Sequence, residues 1–115
     1  MRMWMVDTTT MCRKHLLGEH VETHMILGTL KSGIRLDGYA RNNLLELKSL
    51  KKRHDELATE MVRRGYNHQS PLDWKEEDTD SLFQTDEVKN SKVDKSLSLE
   101  ELHTRCSECR NNHSS

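Results

Sequence analysis

Aromatic residues are scarce in this 115-residue chain: two Trp, two Tyr and one Phe. Together with a hydrophobic fraction of 33%, that allows one domain with a modest core. Proline occurs once, at Pro71. No apolar run approaches the length of a membrane-spanning helix, and the first residues lack the charged, apolar, small-residue order of a secretory signal. Cysteines are few and odd in number, at Cys12, Cys106 and Cys109. They make no secreted disulfide framework and fit a reducing, cytoplasmic setting. A dominant charge is missing too, since 18 Lys+Arg face 19 Asp+Glu for a net charge of −1. Taken alone, near-neutrality argues against a polyanion partner.

The total conceals a split. Residues 1–72 carry twelve Lys/Arg against eight Asp/Glu, a net +4, and five of the seven histidines. Residues 73–115 carry six against eleven, a net −5. The first part reads as a helical core, the second as an acidic segment plus a C-terminal helix packed on the same domain. Such asymmetry suits a polyanion-binding surface with an acidic tail, although a solvated tail beside an ordinary helical domain gives the same arithmetic.

Asp7 and Thr8, Thr9 and Thr10 offer N-cap chemistry for a first helix reaching Leu30, where Ser32-Gly33 supplies a stop. Leu17, Val21 and Met25 predict its apolar stripe. The stretch from Gly33 to Asn43 reads as a loop. A second helix is expected from about Leu44 to Arg64, with Leu47, Leu50, Leu57 and Met61 on one face and Gly65 at its end. Residues 73–95 predict irregular chain anchored by Trp74, Leu82 and Phe83. Ser98 and Glu101 read as a capping box opening a third helix to about Arg110. The expected fold is all-α: two long helices, a shorter third and an irregular acidic segment before it.

Helical angles place His15, Glu19 and Glu22 on one face, opposite the Leu17/Val21/Met25 stripe. Glu22 on such a face beside a histidine could serve acid–base or electrostatic work. His20 and His24 have the spacing of two metal ligands on a helix, but Val21 stands where zinc hydrolases carry their glutamate. In the tail, His103, Cys106, Cys109 and His113 have zinc-like spacing, yet four ligands on one continuous helix cannot easily surround an ion.

Several of these residues together resemble a known family. Arg2, His15-Leu16 with Glu22 seven residues after the histidine, and the run LKSLKKRHDELATEMVRRGYN at 47–67 are similar to the pyrimidine-dimer DNA glycosylase/AP lyase family of the phage endonuclease V type. The similarity covers roughly 1–32 and 44–70. In that family the nucleophile is the α-amine of an N-terminal threonine, and counting back from the matched glutamate puts Met1 in its place. Bulky Arg2 implies that the methionine is retained. The resemblance implies that the amine attacks C1′ of a deoxynucleotide, displaces the base, forms an imine and nicks the strand by β-elimination. It makes Met1 the nucleophile, Glu22 the group stabilising the cationic sugar and moving protons, and Arg2 and His15 their support. Lys51, Lys52, Arg53, Arg63 and Arg64 become candidate phosphate contacts.

Val21 and Met25 stand where the family carries arginines that touch the damaged strand, and the interhelical loop is shorter than the family's. The expectation is therefore a monomeric enzyme that needs no metal or other cofactor. It acts on double-stranded DNA with a damaged or modified base, in the cytoplasm (the host's, if phage-encoded) and without a membrane partner. Two alternatives remain at this level: a non-catalytic nucleic-acid- or partner-binding protein on the same scaffold, and a metal-dependent nuclease using His20 and His24.

Overall fold

A computed structural model of the chain describes residues 1–68, 71–72 and 85–114. The expected anchors Trp74, Leu82 and Phe83 lie outside the described residues. Those described fold into helices with no strand, an all-α architecture. None of these helices is long and apolar enough to cross a membrane.

Asp7 does not cap the first long helix. Its carboxylate accepts from the Thr9 backbone N–H at 2.9 Å and the Thr9 hydroxyl at 2.8 Å, closing a separate 3-10 turn, Thr8–Thr10. The helix proper, α1, is Arg13–Lys31, and its cap is Cys12, whose Sγ accepts from the His15 N–H at 3.4 Å. Its inward face is opposite to the one predicted. Val21 and Met25 are 54% and 51% exposed, whereas Leu16, Glu19, His20, Thr23, Ile26, Leu27 and Leu30 are buried. At about 100° per residue these seven fall in one arc of about 120°. That arc holds four aliphatic side chains against three in the stripe, and Glu19 and His20 find partners on the next long helix while Thr23 donates back to the His20 carbonyl.

The stretch read as a loop contains a short helix, α2, Asp37–Arg41, which buries Ala40. The second long helix, α3, is Leu50–Arg63 and begins later than expected. Residues 44–46 are kept out of it because they receive the N-terminal arm: the Met3 N–H donates to the Leu44 carbonyl at 2.8 Å, and Leu45 is fully buried. A 3-10 turn, Leu47–Ser49, then leads into α3. Both long helices end as the glycines predict. Gly65, at φ +86°, donates to Val62 O at 2.9 Å while Tyr66 N–H reaches Met61 O at 2.8 Å. Gly33, at φ +74°, repeats the pattern with Leu30 and Ile34 with Thr29. Only glycine adopts that left-handed backbone without a steric cost.

Part of the supposedly irregular acidic segment is a short helix, α4, Asp86–Lys89, capped by the Thr85 hydroxyl. The next helix, α5, is Lys95–Arg105, and Asp94 rather than Ser98 caps it, accepting from Leu97 N–H at 3.1 Å. Ser98 sits one turn in, its hydroxyl donating to the Trp4 carbonyl at 2.5 Å. The expected single third helix breaks at Cys106, whose backbone is extended, and α6, Ser107–Ser114, follows.

The arm at residues 1–6 joins two apolar clusters by alternating between them, with Met5 at φ +57°. Met1, Met3 and Met5 pack with Ile26, Leu30, Leu45 and Leu50; Trp4 and Val6 pack with Leu16, Leu57, Met61 and Leu102.

Candidate active site

The same alternation fixes the N-terminus. Met3 holds the arm to Leu44, and the sulfur of Met1 accepts from the Thr29 hydroxyl at 3.9 Å. Thr29 lies two turns beyond Glu22 on α1, so the arm runs back along this helix. Glu22 is half-buried, and the Arg2 backbone N–H near its carboxyl favours the anion. Burial raises its carboxyl pKa above the usual glutamate value, and the nearby Met1 α-ammonium offsets part of that rise. A primary amine and a carboxyl of raised proton affinity thus share one corner of the fold, a pairing suited to proton exchange.

Arg2 reaches this corner with its backbone. Its guanidinium pairs with Glu101 at 2.8 Å and lies 3.7 Å from the centre of the Trp4 ring. His15, expected beside Glu22, is turned elsewhere. Its Nδ1 lies 3.1 Å from Cys12 Sγ and 3.7 Å from Cys109 Sγ, and its ring meets Trp4 edge-on. Seven residues of helix rise separate it from Glu22 by about 10 Å along the axis.

The candidate phosphate contacts divide into two sets. Arg53 is buried at 2% exposure, which corrects its assignment to a DNA-facing surface. Its Nε and Nη2 donate to the two Glu19 oxygens at 2.5 and 2.9 Å, and its Nη1 donates to the Val6 carbonyl at 2.8 Å. With its two remaining N–H groups on Glu56 at 3.4 Å and the Met11 sulfur at 3.5 Å, the guanidinium ties α1, α3 and the arm together and has no donors left for phosphate. Arg64 is similarly engaged, donating to Glu60 and to the carbonyls of Thr8 and Met11. Lys52 is exposed, Lys51 pairs with Asp55 at 3.1 Å, and the exposed Arg63 donates through Nε and Nη2 to the two Glu60 oxygens at 2.6 and 2.5 Å. With Lys48 these side chains line a shallow groove of about 840 Å³ between α3 and the Thr8–Thr10 turn. Asp55, Glu56 and Glu60 line it as well, so the groove is mixed in charge.

The histidine pair on α1 is half of a larger cluster. His20 stacks at 4.8 to 5.0 Å from His24, His54 and His68, and its Nε2 is 2.9 Å from that of His68. Burial, then the neighbouring His54, His24 and His68, pushes the His20 pKa down to about 4. The ring nitrogens of His20, His54 and His68 lie close enough together to hold a metal ion. His24 packs against His20 and His54, but the partners that complete the set are His54 on α3 and His68 beyond it.

The tail does not build the four-residue set that its spacing suggested. His103 and His113 stack on each other, with ring centres 4.9 Å apart. Cys106 and Cys109 instead meet Cys12 and His15, at the N-terminal end of α1. The clue available in sequence was the repeated spacing, Cys12-x2-His15 and Cys106-x2-Cys109.

A family model described as pyrimidine dimer DNA glycosylase matches residues 1–73. No curated protein and no solved structure matches the chain.

Proposed function

The chain belongs to the pyrimidine dimer DNA glycosylase family, and from that premise we propose that it excises a damaged or modified base with its own N-terminal amine and then nicks the strand. The α-amine of Met1 attacks C1′ of the target deoxynucleotide. A bond from nitrogen to C1′ forms as the glycosidic bond breaks and the base departs. Opening of the sugar ring yields an imine. Loss of a C2′ proton then expels the 3′ phosphate by β-elimination, and water releases the amine. The observation that carries this reading is Glu22, close enough to the Met1 α-ammonium and the Arg2 N–H to feel both, and with its pKa raised by burial. Such a carboxyl can take the proton that the amine must lose, and its anion steadies the positive charge that develops on the sugar.

The substrate is double-stranded DNA, acted on by a monomer. Reaching C1′ requires a bent duplex and an extruded nucleotide. Lys51, Lys52 and Arg63, along one edge of α3, are the cations suited to phosphates, a smaller set than the sequence offered. Val21 and Met25 flank Glu22 in sequence and are exposed, so the α1 surface beside it offers apolar contact where the resembling family offers charge.

The test is borohydride trapping with abasic and with ultraviolet-irradiated duplexes. We expect a covalent adduct on the Met1 amine, lost in Glu22→Gln and on N-terminal extension. Absence of any adduct with both substrates removes the imine mechanism. EDTA-sensitive cleavage without an adduct would favour a metal-dependent nuclease instead, for which the convergent nitrogens of His20, His54 and His68 are the supporting observation.

A further inference from the structure

Four donor atoms from the two ends of the chain converge where α1 begins. Cys12 and His15 come from its first turn, Cys106 from the break between α5 and α6, and Cys109 from α6. All four atoms lie within 4.8 Å of one another. Cys12 Sγ is 3.8 Å from Cys106 Sγ and 3.1 Å from His15 Nδ1, which is 3.7 Å from Cys109 Sγ. Zinc–sulfur bonds of about 2.3 Å and zinc–nitrogen bonds of about 2.0 Å, arranged tetrahedrally, require sulfur–sulfur edges of about 3.8 Å and sulfur–nitrogen edges of about 3.5 Å. We propose that Cys12, His15, Cys106 and Cys109 bind a structural zinc ion that clamps the C-terminal helices onto the N-terminal end of α1.

The backbone supports the same assignment. The N–H of Cys12 donates to Cys109 Sγ at 3.2 Å, that of His15 to Cys12 Sγ at 3.4 Å, and that of Cys109 to Cys106 Sγ at 3.4 Å. Each cysteine sulfur therefore accepts a backbone hydrogen bond that holds it facing the other donors. The break at Cys106 puts its sulfur at the start of α6, where it accepts from the Cys109 N–H as Cys12 accepts from the His15 N–H at the start of α1. Three thiolates and one neutral imidazole make a closed, soft donor set that selects zinc and leaves no open position for water, so the ion is structural. A disulfide between Cys12 and Cys106 would use two of the four donors and leave the convergence of His15 and Cys109 unexplained. For a chain with so small a core, a metal clamp supplies stability that packing cannot.

The test uses the full chain purified under reducing conditions. We expect about one zinc ion per chain. Cobalt substitution should give the visible bands of tetrahedral Co²⁺ together with thiolate charge-transfer absorption in the near ultraviolet. Cys109→Ser should lose that absorption and His113→Ala should keep it. The wild-type cobalt spectrum decides the matter if Cys109→Ser does not fold. Three thiols that titrate freely in the native protein with excess zinc present would overturn the proposal. So would a Cys12–Cys106 disulfide in the native chain, or a cobalt spectrum without thiolate absorption, which would move the metal to the histidine cluster.

Discussion

Replacing Arg53 with methionine offers the sharpest separation of a buried clamp from a DNA contact. The wild-type guanidinium bonds both Glu19 oxygens and the Val6 carbonyl, and neither charged side chain exceeds 2% exposure. Arg53→Met leaves the Glu19 carboxylate in that pocket without its cation. Breaking a buried pair from one side costs about 3–5 kcal/mol. A domain of this size has of the order of 6–17 kcal/mol to lose, so the variant should still fold. Glu19→Leu should cost at least as much, because an arginine cannot discard its proton. The double variant removes both charges and fills the space with apolar atoms, so it should recover most of either single loss, the signature of a coupled pair.

Urea unfolding followed by far-ultraviolet circular dichroism reads this directly. With a slope of about 2 kcal/mol per molar, either single change should lower the midpoint by about 2 M. In the double variant, the dependence of DNA affinity on salt should match the wild type. A midpoint drop under about 0.5 M for Arg53→Met, joined to a salt slope smaller by about one, would refute the reasoning and return Arg53 to the DNA surface.

Other outcomes follow from the same contacts. His20 is held neutral by burial among His54, His24 and His68, with a native pKa of about 4 against 6.5 when unfolded. Its contribution to stability is therefore complete above pH 6.5 and is lost progressively as pH falls from there toward 4. The loss approaches 3 kcal/mol if the whole shift is realised and is about half that if water reaches the ring; the stability difference between wild type and His20→Phe, measured across that window, should change by this amount, and a constant difference refutes it. Leu16→Ala should cost about 2–5 kcal/mol in thermal or urea melts, while Val21→Ser and Met25→Ser should stay within about 0.5 kcal/mol. The reverse order would restore the other face of α1 to the core. Lys52→Ala and Arg63→Ala should each reduce the slope of log affinity against log salt by about 0.9 in binding titrations. Arg64→Ala should instead lower the melting temperature, since its guanidinium holds the carbonyls of Thr8 and Met11.

Features that depend on neighbours in sequence were legible in the chain. Gly33 and Gly65 end the long helices because left-handed backbone at that position is a local requirement. The face of α3 carrying Leu50, Leu57 and Met61 is buried as its period implies. Features that depend on distant partners were not. Glu19 and His20 look like surface residues until Arg53 and His54, more than thirty residues away, supply their contacts. The thiol–imidazole cluster needs residues 94 positions apart, and neither proline nor glycine marks the break at Cys106. The arm Met1–Val6 carried little signal either, since only Arg2 interrupts an apolar run with no polar alternation.

The rotation of α1 decides whether the proposed chemistry has its carboxyl. Turning the Leu17/Val21/Met25 stripe inward would bury three apolar side chains, at roughly 1.5–3 kcal/mol each, and would expose Leu16, Ile26, Leu27 and Leu30, worth the same each. That difference of one side chain is small and, without more, permits both orientations. The Glu19–Arg53 pair breaks the near-tie, because its geometry is satisfied at one rotation only. Glu22 lies about 60° from Glu19 around the helix, so fixing Glu19 on Arg53 also fixes Glu22 toward Arg2 and the Met1 amine. The pair is thus a positioning device for the carboxyl. Its removal should reduce borohydride trapping by more than the loss of folded protein accounts for, whereas a purely structural role predicts that the two decline together.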